Sequence, residues 1–149
     1  MTLGYRILLI IIILLWILGD FSFLLASLSE YFLVTGLYLN KTYSLICHQN
    51  PDKLICIDNN CTLLCTRCTG IYIGSLFTSI VTVLVDKTST PNIGYMVAAS
   101  SLILADVVLY NSGIYNYNKI ISFSTGLFFG SVGFLYIRSG LEKLIDELK

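Results

Sequence analysis

Charge is scarce in this chain, and so is proline. Of its 149 residues only 12 % are Asp, Glu, Lys or Arg, and two are proline. Soluble domains carry about 25 % charged residues, and a chain that is 56 % hydrophobic has too little polar side chain to coat a water-soluble globule. Nine cations balance nine anions, so the basic excess of a nucleic-acid binder is missing. An apolar, proline-poor composition also excludes long disorder. There is a single histidine, so any triad that uses one must be built on His48. Neither a glycine-rich phosphate loop nor a Ser-x-x-Lys or Gly-x-Ser-x-Gly nucleophile motif occurs. Thr69 follows Cys68, which excludes a Cys-x-x-Cys-His haem attachment. What remains is an integral, all-α membrane protein forming one domain over residues 1–149.

Four spans are predicted. The first runs over residues 7–28, about 22 residues where about 20 are needed; Arg6 precedes it, and Ala26-Ser27-Leu28 makes a poor cleavage site, so it is read as a retained helix and not a signal peptide. The others cover 69–85, 93–110 and 120–137, separated by the polar turn Thr88-Ser89-Thr90-Pro91-Asn92 and by a loop rich in Asn and Tyr around 111–118. Tyr110, Tyr115 and Tyr117 suit an interfacial belt. Residues 30–46 are apolar but short, and a span there would place Lys41 at depth at a cost of about 2.5–3.5 kcal/mol; they are read as an interfacial helix leading into a Cys-rich loop between spans one and two. In the tail, residues 139–149, Leu141, Leu144, Ile145 and Leu148 recur at helical spacing, the pattern of a surface helix. Arg6, Lys87, Arg138, Lys143 and Lys149 on the terminal side slightly outnumber Lys41, Lys53, Arg67 and Lys119 on the other. The expected location is therefore the cell membrane, multi-pass, with cytoplasmic termini and the Cys loop outside.

All five cysteines and the histidine fall between Cys47 and Cys68. Cys65-x-x-Cys68 is a thiolate pair at knuckle spacing, able to face one tetrahedral ion, and Cys47-His48 could complete the set at a separation common between the halves of zinc sites. Mixed sulfur and nitrogen ligands make zinc the default ion. Cys47 and His48 can both ligate only if the backbone turns between them, and Asn50-Pro51 places a turn nearby. The same Cys-x-x-Cys pair, at the start of a helix and with Arg67 between its members, is also built for redox chemistry and could exchange disulfides with Cys47. Purely structural disulfides are the third reading; Cys56 and Cys61 are the best candidates, and five cysteines cannot all pair.

Two acidic residues lie inside the spans. Asp20 is roughly 20 Å beyond Arg6 along a helix, and Asp106 sits one turn from the end of the third span. Intramembrane carboxylates are functional candidates, and both would face the Cys-loop side with Lys119; each could equally mark interface depth or pair with a cation. Gly70 and Gly74 open the second span at GxxxG spacing, and Gly126 and Gly130 repeat it in the fourth, with Gly133 as an extension. Such residues let helix backbones approach closely, and two sets together predict contact between spans two and four.

The segments Cys47-His48-Gln49-x-Pro51 and Cys65-x-Arg67-Cys68-x-Gly70-Ile71-Tyr72-x-Gly74 resemble the hallmark of domain-of-unknown-function family 2085, small prokaryotic membrane proteins. The resemblance implies a small helical membrane protein whose two segments come together, and singles out Cys47, His48, Gln49, Pro51, Cys65, Arg67 and Cys68. It also implies an acidic residue late in the third span, which Asp106 matches. The family pattern has Arg-Ser after the proline, where this chain has Asp52-Lys53-Leu54, and an arginine opening the last span, where it has Ser122 with Lys119 the nearest cation. Cys56 and Cys61 stand outside the pattern. No activity follows from membership. The leading expectation is a metal site, zinc by donor type, formed by Cys47, His48, Cys65 and Cys68 and supported by Gln49, Arg67, Asp106 and Asp20. The alternatives are a membrane thiol-disulfide oxidoreductase using Cys65 and Cys68, or a small transporter or accessory subunit. Lipid is the expected surrounding, with a homo-oligomer or a larger membrane complex as protein partner.

Overall fold

The computed structural model describes residues 3–25, 30–57, 60–85, 91–114 and 116–147. Helix α1 (Leu3–Asp20) is followed by the short α2 (Ser22–Leu25) and by α3 (Glu30–Ser44). A 3-10 turn at Pro51–Lys53 leads into strands β1 (Leu54–Ile57) and β2 (Asn60–Cys65). Helices α4 (Thr66–Val85), α5 (Ile93–Asn111) and α6 (Lys119–Glu147) complete the chain.

Helix α1 packs on α4, α4 on α6, and α6 on α5, so the four long helices stand in the order α1, α4, α6, α5. Leucine, isoleucine, valine and phenylalanine project outward along them, as at Leu8, Ile12, Leu15, Phe77, Leu84, Leu104 and Ile137. That is what a helix bathed in lipid requires, since hydrocarbon outside does not penalise apolar surface. Among the described residues three helices, at Thr66–Val85, Ile93–Asn111 and Lys119–Ile145, are long and apolar enough to cross a membrane. Three of the four expected spans are met by this measure. The first apolar run is not one helix: α1 has 18 residues and ends at Asp20, Phe21 lies in a turn, and residues 26–29 fall outside the described residues.

The tail differs from expectation as well. Helix α6 runs unbroken for 29 residues to Glu147. Arg138 does not end it, because its guanidinium turns back onto the helix and donates to Glu142 at i,i+4, 3.2 Å away, a pairing that supports continued helix. This arginine is only 5 % exposed. Its other end donates to the Thr82 carbonyl of α4, and Arg6 of α1 lies 3.7 Å from Glu142. The three helices are thus tied together at the end remote from the cysteines.

Between α4 and α6 the small residues carry the contact. A methyl group at Gly130 would overlap the Ile71 carbonyl oxygen, one at Gly126 the Arg67 carbonyl, one at Gly74 the Leu127 carbonyl and one at Gly70 the Phe123 carbonyl. Helices this close bring Cα–H groups against carbonyl oxygens. Two hydroxyls join across the seam: Ser75 donates to the Gly130 carbonyl at 3.1 Å and Ser131 to the Gly74 carbonyl at 3.3 Å. A methyl group at Gly133 would meet nothing within 4 Å, so this glycine does not extend the seam.

The cysteine segment is not a plain loop. Strands β1 and β2 form an antiparallel pair with Leu54 opposite Cys65, Cys56 opposite Cys61 and Ile57 opposite Asn60. Asp58 and Asn59 at the tip lie outside the described residues. Cys56 and Cys61 are joined by a disulfide, their Cα atoms 4.0 Å apart. The hairpin is held onto the helices by polar contacts. The Lys53 ammonium stands 4.3 Å from the Tyr110 ring centre and 5.4 Å from that of Tyr117, Thr66 donates to the Lys53 carbonyl at 2.7 Å, and Lys119 donates to the Leu54 carbonyl at 2.7 Å.

Candidate metal centre

Three sulfurs meet at the base of the hairpin. The Sγ atoms of Cys47, Cys65 and Cys68 all lie within 4.8 Å of one another, with Cys47 buried and the other two half-buried. Sulfurs that share an ion at about 2.3 Å in tetrahedral geometry lie about 3.8 Å apart, so this group needs little movement to close on one.

Each sulfur is delivered by a different element. Cys65 ends β2, and Cys68 lies in the first turn of α4, so the junction from strand to helix sets their spacing. Cys47 follows α3, whose helical pattern runs on just far enough for the Cys47 N–H to donate to the Tyr43 carbonyl at 2.9 Å. The Tyr43 hydroxyl in turn donates to the Trp16 carbonyl of α1 at 2.6 Å, and the two rings pack with centres 4.5 Å apart. Tyr43 is buried together with Cys47, Leu63 and Leu64, with Trp16, Leu39, Cys65, Cys68 and Tyr72 packed against them. Burial, and next the nearby Asp20 carboxylate, push the Tyr43 hydroxyl up to about 12, so it stays a donor at any physiological pH.

The three thiols are not equivalent. Hydrogen bonds to the Cys47 sulfur from the Cys65 side chain and then the Cys68 side chain hold its thiol well below its ordinary range, against the opposing effect of burial. The Cys65 N–H also points at it, 3.2 Å from Sγ. The Cys65 thiol is pushed the other way, chiefly because its own proton is engaged in the bond to Cys47. Metal binding releases ligand protons, and a thiol held low in this way gives up its proton to a cation more readily.

Around the cluster the sequence-predicted residues take separate places. His48 is exposed, and the group of three sulfurs includes no histidine nitrogen. Gln49 has a positive φ of 46°, a conformation rare outside glycine and asparagine. Its amide holds the turn by donating to Asn40 Oδ1 at 2.9 Å and to the Leu63 carbonyl at 3.0 Å. Asn50 caps the 3-10 turn that Pro51 starts, accepting from the Asp52 N–H at 3.1 Å. Asp20, at the end of α1, accepts from the Leu64 N–H at 2.7 Å and from the Thr69 hydroxyl at 2.9 Å. Arg67, between the two cysteines, donates to Asp106 of α5; Ser122 of α6 donates to the same carboxylate oxygen at 2.9 Å and lies 3.3 Å from the Arg67 guanidinium. The segment bearing Cys65 and Cys68 is thereby tied to α1 through Asp20 and to α5 and α6 through Arg67.

Sequence reasoning missed the aromatic wall of Trp16, Tyr43 and Tyr72, whose rings carry no periodic signal of their own. It also missed Thr69 as the partner of Asp20, and the Arg6, Arg138 and Glu142 group at the opposite end. The i,i+4 spacing of Arg138 and Glu142 was a readable sign of the last.

Long apolar helices and a cysteine cluster at one end of their bundle define a helical membrane protein with a candidate thiolate site. The chain belongs to the family described as "Predicted membrane protein (DUF2085)", which matches residues 47–136. The match therefore takes in both cysteine segments, α4, α5 and most of α6. A protein of Methanocaldococcus jannaschii, described as uncharacterized protein MJ1492, is 29 % identical over 116 residues, covering 76 % of this chain and 74 % of that protein. No solved structure matches.

Proposed function

We propose that this protein is a four-span membrane protein that holds one metal ion, zinc by donor type, on Cys47, Cys65 and Cys68 at one membrane face. The observation that carries the reading is the convergence of three sulfurs from two chain segments, Cys47 and the Cys65-x-x-Cys68 unit, within 4.8 Å. A soft or borderline ion suits a set rich in sulfur. Asp20 is not the fourth ligand in this reading, because both its oxygens already accept hydrogen bonds. His48, the neighbour of Cys47, is the remaining donor and reaches the ion by turning inward from its exposed position.

Helix α1 is the fourth span of the proposal. Asp20 at its end contacts the hairpin and the start of α4, while Arg6 near its beginning lies by Glu142 at the far end of α6, so α1 reaches from one end of the bundle to the other. Residues 30–46 then lie along the interface, and both termini share the cytoplasmic face. The Cys56–Cys61 disulfide favours an outer, oxidising location for the hairpin.

Metal analysis of detergent-purified protein tests the site. The expected result is one ion per chain, lost in Cys65→Ser and bound about tenfold or more weakly in His48→Ala. A second reading, thiol-disulfide exchange by Cys65 and Cys68, is favoured by the position of this pair at the start of α4, where the helix dipole supports a thiolate. Metal-free protein with a reducible Cys65–Cys68 bond would select that reading over the first.

A further inference from the structure

Asp20 lies before the residues that match the family, yet it touches the cluster's frame on both sides. Leu64, whose N–H donates to its Oδ1, directly precedes Cys65, and Thr69, whose hydroxyl donates to its Oδ2, directly follows Cys68. One carboxylate therefore brackets the whole Cys-x-x-Cys unit across the junction of β2 and α4. Along an extended strand successive N–H groups point to opposite sides. With the Leu64 N–H turned to Asp20, the Cys65 N–H is directed the other way, to Cys47 Sγ. The same stretch of α1 steadies the third sulfur, since Trp16 accepts from Tyr43 and Tyr43 accepts from the Cys47 N–H. Gly19, beside Asp20, is what lets Tyr43 in: a methyl there would overlap the Tyr43 hydroxyl. Asp20 is 1 % exposed, and a carboxylate is desolvated this fully only where bound donors replace water.

We infer that Asp20 is the positioning residue of the thiolate site, setting the relative aim of the Cys65 and Cys68 sulfurs through Leu64 and Thr69 without touching the ion. The inference rests on the proposed metal reading. It assigns to the first helix a role in the site beyond crossing the membrane, and it makes the family-matched segment depend on chain outside it. Groups that orient ligands from behind are worth 10- to 100-fold in metal affinity when removed.

Cobalt(II) is the probe, because its sulfur charge-transfer and visible bands report both occupancy and geometry. The full-length protein in detergent is titrated with Co(II) as wild type and as Asp20→Ala, Asp20→Asn and Thr69→Val. Asparagine can still accept from the Leu64 N–H and can donate its amide to the Thr69 oxygen, so it preserves the bracket. The expected results are 10- to 100-fold weaker binding with altered bands in Asp20→Ala, near wild-type affinity in Asp20→Asn, and several-fold weaker binding in Thr69→Val. Wild-type affinity and bands in both Asp20→Ala and Thr69→Val would overturn the inference while leaving the metal reading intact. Wild-type protein that binds no Co(II) would overturn the metal reading and the inference with it. Should Asp20→Ala fail to fold, Thr69→Val decides alone, since it deletes one donor and keeps the carboxylate.

Discussion

At the scale of single residues, charged side chains are few, and several of those described tie the helices to one another. Asp106 is the sharpest case. It is buried on α5, takes a charged donor from Arg67 and a hydroxyl from Ser122, and so joins three helices at one atom. Asp106→Asn keeps the shape but leaves a guanidinium, whose side chain is 21 % exposed, facing a neutral amide. Breaking a buried ion pair from one side costs 3–5 kcal/mol; with Arg67 partly open to solvent, about 3 kcal/mol is expected. Ser122→Ala removes one hydrogen bond and should cost about 1 kcal/mol. Thermal unfolding of detergent-solubilised protein, followed by circular dichroism, should rank wild type above Ser122→Ala and that above Asp106→Asn. Equal stability of the two variants would show that the ion pair contributes nothing beyond its hydrogen bonds. Asp106 could be picked out from the sequence because a lone carboxylate in an apolar span is conspicuous. Its partners could not, because Arg67 reads as part of a cysteine motif and Ser122 as one hydroxyl among many.

Among the elements, the seam between α4 and α6 was the most legible feature. Paired glycines four apart in two apolar runs announce close helix contact, and Gly70, Gly74, Gly126 and Gly130 each face a backbone carbonyl of the opposite helix. A carbonyl cannot rotate aside as a side chain can, so a methyl at Gly130 or Gly74 forces the helices apart. Gly130→Ala should destabilise by about 1–3 kcal/mol, the usual cost of overpacking, despite the better helix propensity of alanine. Gly133→Ala meets open space and should be neutral or stabilising by up to about 1 kcal/mol. Loss of stability in both variants, or in neither, would reject the seam as the principal contact. The hairpin was harder to read. Leu54–Ile57 and Asn60–Cys65 are too short for a periodic signal, and cysteine spacing that suggested a loop with a disulfide is equally compatible with two strands. The site was legible in the same uneven way: spacing marked Cys65 and Cys68 as one unit and joined Cys47 to them, but the direction of His48 depends on the turn at Gln49, whose positive φ no residue type announces.

For the molecule as a whole, the question is what α1 does with respect to the membrane. By length and apolar character three helices qualify as spans, and on that count alone the chain would cross three times, leaving its ends on opposite sides. The contacts of α1 argue for a fourth crossing. A helix lying in the membrane plane could touch the hairpin end of the bundle through Asp20, but it could not also bring Arg6 to Glu142 beyond the far end of α4. The low charge of the chain fits this arrangement, since an α1 outside the bilayer would expose Ile7, Leu8, Ile11, Ile12 and Leu15 to water. Epitope tags at the two termini and a membrane-impermeant maleimide give the test in intact cells. With four spans, both tags are detected only after permeabilisation, and after mild reduction Cys56 and Cys61 react with maleimide from outside. Alanine in place of Cys47, Cys65 and Cys68 confines the labelling to the hairpin pair. A C-terminal tag that needs permeabilisation together with an N-terminal tag that does not would reduce the bundle to three spans and lay α1 along the surface. Labelling of the hairpin only in broken cells would invert the molecule, moving its disulfide and thiolate site to the cytoplasmic face.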